Sequence, residues 1–281
     1  MASADPSAAA SPLGGYRRTM KINVVVTEPT SDKRTTPIVF VHGAWHGAWC
    51  WTENFTEHFA DHGYGSYAID LRGHGASEGS VRWARISHYV HDLRRLVLEL
   101  DTEPVIIGHS MGGLVVQQYL SRYRAAAGVL MAPVPAAGAI GATMRVILDH
   151  PGAFLRANTT LSLGPFVDDE DRAISLLFGP HMGAVDANRY AALLQDESYP
   201  AYLEMIVDLP RTSRIRDPIL VLGAESDAIF SPAEIKATAR AYNTEAVIFG
   251  GMGHDMMLEP GWEGPARAII DWLDDAVPSV Q

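Results

Sequence analysis

Short continuous apolar runs, rich in β-branched residues, alternate along the chain with longer amphipathic stretches. Runs of the first kind read as strands covered on both faces, and stretches with apolar residues three and four apart read as helices lying over them. The pattern predicts strands over 21–27, 37–41, 66–70, 105–107, 127–132, 219–222 and 246–249, the first of them at a sheet edge. Between them it predicts a helix carrying Trp51, Phe55 and Phe59 on its buried face and ending at Gly63, then helices over about 86–100, 114–120, 233–242 and 260–273. Across residues 134–211 the rhythm breaks, with no evident strand and helix-like pieces separated by Pro and Gly. Strand–helix alternation on both sides of one gap predicts an α/β fold. A mostly parallel central sheet flanked by helices would span 19–133 and 212–281, with 134–211 inserted as a helical cap.

Composition narrows the function classes. Hydrophobic residues make up 47% of the chain, enough for the core of one large domain. With 33 acidic against 22 basic residues the net charge is −11, which opposes nucleic acid and anionic membranes as partners. Cys50 is the single cysteine, so no internal disulfide forms. No apolar run reaches the roughly 20 residues of a membrane span. The Ala/Ser/Pro-rich start lacks the apolar segment of a secretory signal and reads as a disordered tail over 1–18, with the cytoplasm as the default location.

The chemistry centres on Gly108-His109-Ser110-Met111-Gly112, a G-x-S-x-G sequence between a predicted strand and a predicted helix. In a nucleophile elbow the turn is so sharp that residues two before and two after the serine crowd together, and glycine relieves the crowding. The serine hydroxyl then stands at a helix N-terminus, where free N–H groups favour developing negative charge. Eleven histidines raise the question of a metal, and His42 and His46 have i, i+4 spacing. That spacing joins two ligands only on a helix, whereas this segment is a Gly-rich loop, so His42 is expected to hydrogen-bond the loop backbone. No metal site, no phosphate-cradling glycine motif and no cofactor follow from the sequence.

The order of these features resembles the α/β-hydrolase superfamily, in its serine esterase/lipase-like branch, and the resemblance covers nearly all of the chain from Lys21 onward. It implies a catalytic triad in the chain order Ser110, Asp227, His254, each on a loop after a strand. Ser110 would be the nucleophile, His254 the base that takes its proton, and Asp227 the group that holds the imidazole tautomer. Glu225 on the same loop and Asp255 beside His254 compete for the acid's role. His42-Gly43-Ala44 resembles the family's oxyanion loop, so the backbone N–H groups of Ala44 and Met111 would bind the oxyanion.

The run His42-Gly43-Ala44-Trp45-His46-Gly47-Ala48-Trp49 looks like the loop of plant methylesterases and hydroxynitrile lyases. The lyases carry threonine where this chain has Gly43 and lysine where it has Asp255, so ester hydrolysis is the simpler expectation. Apolar residues such as Phe154, Leu163, Phe166, Leu176, Tyr202 and Met205 would wall a pocket in the cap. The expected substrate is a small-to-medium hydrophobic ester or lactone, cleaved through an acyl-enzyme. Thioesters, amides and the carbon–carbon bonds of diketones suit the same triad, and a ligand-binding receptor keeping the fold is the contrasting class. Monomer and homodimer are both compatible with the sequence.

Overall fold

In the computed structural model, which describes residues 20–277, the apolar runs become seven strands: β1 (Val24–Thr27), β2 (Ile38–Val41), β3 (Ser66–Ile69), β4 (Val105–His109), β5 (Ala127–Met131), β6 (Ile219–Ala224) and β7 (Ala246–Phe249). They form one sheet in the order β1-β3-β2-β4-β5-β6-β7, parallel throughout except that β1 runs antiparallel to β3. The inner strands β2, β4, β5 and β6 are buried along their whole length, which is why their sequences are apolar without alternation. At the edge, β1 exposes Val25 and Val26.

Helices cover both faces. After β2 come α1 (Trp49–Thr52) and α2 (Phe55–Asp61), after β3 comes α3 (Ile86–Val97), and after β4 comes α4 (Met111–Leu120). Between β5 and β6 the chain carries α5 (Ile140–Asp149), α6 (Pro151–Thr160), α7 (Glu170–Leu177), α8 (Ala184–Ala191) and α9 (Tyr199–Val207). After β6 comes α10 (Pro232–Ala241), and after β7 comes α11 (Glu263–Ala276). No helix among the described residues is long and apolar enough to cross a membrane. The tail expected over 1–18 lies outside the described residues.

Among the element boundaries that differ from the sequence reading, four have a clear local reason. Residues 21–23 leave the β1 ladder because they bind the loop after β3: Lys21 N–H donates to Glu78, and the Asn23 side chain to Asp70. The single helix expected to end at Gly63 is broken between α1 and α2, where the Asn54 side chain donates to the Met257 carbonyl instead of continuing a helix. The elbow helix starts at Met111 rather than Leu114, so Ser110 caps it directly. The last helix starts at Glu263 because Gly261, at φ 86°, takes a left-handed turn that ends the preceding loop.

Parallel register gathers the functional loops. Val41 pairs with Gly108 and His109 with Met131, so the chain leaves β2, β4 and β5 at the same edge of the sheet. β6 and β7 leave there too, through the loops carrying Asp227 and His254. Beneath them, Phe40 of β2 stacks on Trp51 at 4.9 Å and meets Phe55 and Phe59 edge-on at 6.2 and 5.6 Å, anchoring α1 and α2 to the sheet.

The elbow depends on backbone contacts that leave no space for a side chain. A Cβ at Gly112 would strike the carbonyl oxygens of Val41 and His42, whereas one at Gly152 in α6 would meet nothing within 4 Å. Overpacking against backbone costs about 1–3 kcal/mol or more. Gly112→Ala is therefore expected to lower the unfolding free energy by that amount, read as a lower denaturant midpoint at unchanged slope, and Gly152→Ala to leave it unchanged or slightly raised.

Candidate active site

Ser110 sits at φ 53° and ψ −117°, a left-handed conformation that costs a non-glycine residue about 1–3 kcal/mol. Its neighbours hold it there. The Ser110 N–H donates to the Met131 carbonyl at 3.0 Å, and its own carbonyl accepts from Val134 at 3.1 Å and Leu114 at 3.3 Å. The crowding expected on either side is present, since a Cβ at Gly108 would collide with the Gly112 carbonyl. The serine thus faces outward at the start of α4, whose first-turn N–H groups have no intrahelical partner.

The loop after β2 lies against this turn. A Cβ at Gly43 would stand 3.0 Å from the Ser110 Cβ and 2.8 Å from His109 Nδ1. Ala44 and Ser110 line one cavity, roofed by α5, α9 and the segment between α6 and α8 and closed on one side by Ile229 and Phe230. It encloses about 640 Å³ of space, part of it open to solvent, and its walls are almost wholly apolar. A polar pair, Thr143 and Tyr202, interrupts the lining and is hydrogen-bonded within itself at 3.1 Å.

Asp227 and His254, which the family resemblance singles out, lie side by side. His254 Nδ1 lies 2.8 Å from Asp227 Oδ2, with both side chains buried. The other oxygen, Oδ1, accepts from the N–H groups of Ile229 and Phe230 at 2.7 and 2.9 Å, so the carboxylate cannot rotate away. Glu225 is exposed and accepts only the Gly251 N–H, and Asp255 turns from the His254 ring toward His46. Ser110 and His254 are not hydrogen-bonded to each other: His254 Nε2 is buried and without a partner. The two are nonetheless neighbours, because His109, which precedes Ser110, donates its Nε2–H to the His254 carbonyl at 3.0 Å.

Proton positions follow from these partners, because a carbonyl or carboxylate can only accept. His254 carries its proton on Nδ1 toward Asp227, leaving the Nε2 lone pair free. His42 donates Nδ1–H to the Gly43 carbonyl at 2.8 Å and accepts the Leu71 N–H on Nε2 at 3.1 Å, which makes it a neutral loop fastener rather than a ligand. Burial, with repulsion from His74 next, holds its pKa well below the usual value. His109 is pushed down to about 3 by burial and by His254. For His254 itself burial opposes the charge, but attraction and the hydrogen bond from Asp227, with the field of Asp255, outweigh it and raise the pKa.

Two further constellations were not visible in the sequence. His46 Nε2 is paired with buried Asp255 at 3.0 Å, and His74 Nε2 with buried Glu197 at 3.0 Å, the latter also accepting the Tyr89 hydroxyl at 2.7 Å. The partners lie 209 and 123 residues apart, beyond any local pattern. The available signal was Asp255 itself, an acid among Met252, Met256, Met257 and Leu258, since a carboxylate in an apolar run is usually buried and paired. Among the described residues His109, His254 and Asp255 also bring ligand-type atoms within 4.8 Å of one another, yet each has a hydrogen bond to His254, Asp227 or His46 that defines its place.

The fold and these loops have known counterparts. Residues 38–264 match the profile described as "Alpha/beta hydrolase family", and the chain belongs to that family. It is 25% identical over 222 residues to a monoacylglycerol lipase of Mycolicibacterium smegmatis, covering 74% of this chain and 77% of that protein. Over a shorter stretch of 103 residues it is 38% identical to a non-heme chloroperoxidase of Streptomyces lividans, covering 35% of this chain and 37% of that protein. Among solved structures, a thermophilic esterase of Thermogutta terrifontis superposes with a TM-score of 0.72 at 23% identity, covering 92% of this chain and 94% of the other. The Paleococcus ferrophilus monoacylglycerol lipase gives 0.69 at 22% identity, covering 90% and 98%.

The Asp227–His254 pair generates a titration prediction. With its pKa raised, His254 takes up a proton as pH falls through a value above 6.5, and Asp227→Asn removes the attraction and lets burial lower that value. Histidine ring NMR measures both, and a His254 that stays neutral below pH 6.5 in the unsubstituted protein would refute the assignment.

Proposed function

We propose that the protein is a serine hydrolase acting on small-to-medium hydrophobic carboxylic esters or lactones, with the α5–α9 segment, 134–211, as its cap. One observation carries the reading. A histidine whose Nδ1–H is held by a buried carboxylate keeps an unpartnered Nε2, its carbonyl is tied to the residue before an elbow serine, and that serine opens onto an apolar cavity. Similarity to a monoacylglycerol lipase and to a thermophilic esterase supports the same class.

The steps follow from the groups. As Ser110 Oγ attacks the ester carbonyl, its proton passes to His254 Nε2, and the new imidazolium is stabilised by Asp227. The carbonyl oxygen becomes an oxyanion facing the N–H groups of Met111, at the start of α4, and Ala44; each such donor is worth about 10²–10³ in rate. Collapse expels the alcohol, which takes the proton from His254 and leaves an acyl group on Ser110. Water, deprotonated by His254, then attacks the acyl carbon, and the second collapse frees the acid and returns the proton to Ser110.

The cavity sets the substrate class. Its apolar walls reward an alkyl or aryl acyl group and penalise a charged one, and the Thr143–Tyr202 pair offers the lining's conspicuous polar contact. Cyanohydrin cleavage fits poorly. Threonine at Gly43 would strike His109 and Ser110, and the position where the lyases carry lysine holds Asp255, which is buried against His46 and offers no cation.

With p-nitrophenyl butyrate the protein is expected to show an acyl-enzyme burst, and phenylmethylsulfonyl fluoride to add its mass to Ser110. Ser110→Ala should lower kcat by about 10⁴-fold or more. A folded protein that shows neither burst nor turnover would instead be a binding protein. Val146→Trp, which fills the cavity from α5, should shift preference toward acetate over octanoate by about tenfold in kcat/KM.

A further inference from the structure

Close to the Asp227–His254 pair lies a second buried histidine–carboxylate pair that the steps above leave unused. His46 Nε2 lies 3.0 Å from Asp255 Oδ2, and both side chains are shut off from solvent. The other ring nitrogen, Nδ1, is 2.7 Å from the Ala44 carbonyl oxygen. A carbonyl only accepts, so Nδ1 carries a hydrogen. If the ring were neutral, the Nε2 lone pair would point at the lone pairs of an ionised carboxylate, and the contact would be repulsive. A second proton must therefore lie between Nε2 and Oδ2.

The surroundings place that proton on the ring. Burial opposes the charge on Asp255, but attraction and a hydrogen bond from His46, with weaker help from His109 and His254, hold its carboxyl below the usual range. Cys50 also faces Asp255 and stays a thiol, because burial and the anions Asp255 and Asp70 push its pKa well up. His109 is neutral. The hydrogen-bond geometry thus gives His46 two N–H donors, one to Ala44 and one to Asp255, and Trp49 stacks against it at 5.3 Å.

The connectivity gives the pair its purpose. Asp255 follows His254 in the chain, and its N–H is held by the Leu177 carbonyl at 2.9 Å. Ala44 follows Gly43, whose backbone rests against Ser110. We infer that the His46–Asp255 ion pair is a brace between the histidine loop and the oxyanion loop, fixing the Ala44 peptide relative to Ser110 and His254. Both are positioning residues, since neither lines the cavity. The inference rests on the serine-hydrolase reading, but the charge state of His46 is testable without it.

The test uses the full chain with Asp255→Asn, Asp255→Ala, His46→Ala and the double alanine variant, each assayed where circular dichroism shows it folded. Asparagine turns a donor N–H toward Nε2 of a now neutral His46, which keeps its Nδ1–H on Ala44, so this variant should retain kcat within about threefold. Each alanine variant should lose kcat by about 10²-fold with KM little changed, as expected when an oxyanion donor is misplaced. The double variant should be no worse than the poorer single one, because the two residues act as a unit.

Affinity for a boronic acid, whose tetrahedral adduct on Ser110 puts an oxygen in the oxyanion position, should fall in step with kcat. Nitrogen-15 NMR of the unsubstituted protein at neutral pH should show both ring nitrogens of His46 protonated. A neutral His46 ring, losses that add in the double variant, or folded alanine variants with full kcat would each overturn the brace. If an alanine variant fails to fold, the asparagine variant and the NMR measurement still decide. Absence of any ester turnover in the unsubstituted protein would instead count against the serine-hydrolase reading and leave the NMR result to judge the pair.

Discussion

Backbone contact between the β4–α4 turn and the loop leaving β2 is the constraint on which the rest of the site depends. Glycines at 108 and 112 let the chain reverse around Ser110, and glycines at 43 and 112 let the β2 loop press against that reversal. Strain at Ser110 is offset by hydrogen bonds to Met131, Val134 and Leu114 and by the rigid sheet on either side. Because β2 and β4 are paired in parallel, Val41 beside Gly108, the loop and the turn cannot separate without disrupting the sheet's centre. The positions of Ala44, Ser110 and Met111 are therefore consequences of strand register and of missing side chains, not of the side chains that do the chemistry.

Around that contact the histidines are sorted by what faces each ring nitrogen. Where one nitrogen meets a carbonyl and the other a backbone N–H, as at His42, the ring is neutral and structural. Where one meets a carbonyl and the other a carboxylate, as at His46 and His74, both ring nitrogens are engaged and the ring serves as a fixed link. His254 differs from both: one nitrogen meets a carboxylate and the other meets nothing. Only that arrangement gives a ring that can gain a proton and lose it again during a reaction. The fifth buried histidine, His109, donates Nε2–H to the His254 carbonyl and leaves Nδ1 without a partner, so hydrogen-bond partners rather than burial tell the five rings apart.

Much of this architecture was legible in the sequence, for physical reasons that also mark where legibility ended. Continuous β-branched runs can only be strands covered on both faces, so the inner strands were visible, and the glycines of the elbow announced a turn too tight for side chains. Asp227 and His254 could be singled out because the α/β-hydrolase resemblance expects an acid and a histidine after the last two strands, and each closes one of the strands that resume after the long helical gap. The break between α1 and α2 was invisible because a side chain from the Met257 region decides it: Asn54 finds its acceptor there rather than in its own helix. The His46–Asp255 pair was hidden similarly, since residues 42–48 and 250–259 approach only after β2 and β7 have taken their places in the sheet. Asp255, a rival acid for His254 by its place in the sequence, has His46 as its partner in the structure.

The same distinction governs the α5–α9 segment. Its helices are amphipathic in the ordinary way, and their sequence does not say how they sit on the sheet. Three polar contacts fix that seat. Glu197, buried between α8 and α9, takes hydrogen bonds from Tyr89 of α3 and His74 of the β3 loop. Gln195 binds the backbone of Gly73 and Gly75 through its side chain, and its N–H donates to the Trp45 carbonyl at 2.9 Å. Leu163, a wall of the cavity, donates its N–H to the Glu197 carbonyl and accepts the Trp45 indole N–H on its own carbonyl. Removing a partner from a buried ion pair costs about 3–5 kcal/mol, so an α5–α9 segment anchored through Glu197 has one firmly defined seat. The apolar cavity owes its shape to polar groups outside its walls, because apolar packing alone would tolerate many placements of the same helices whereas a buried charge tolerates few.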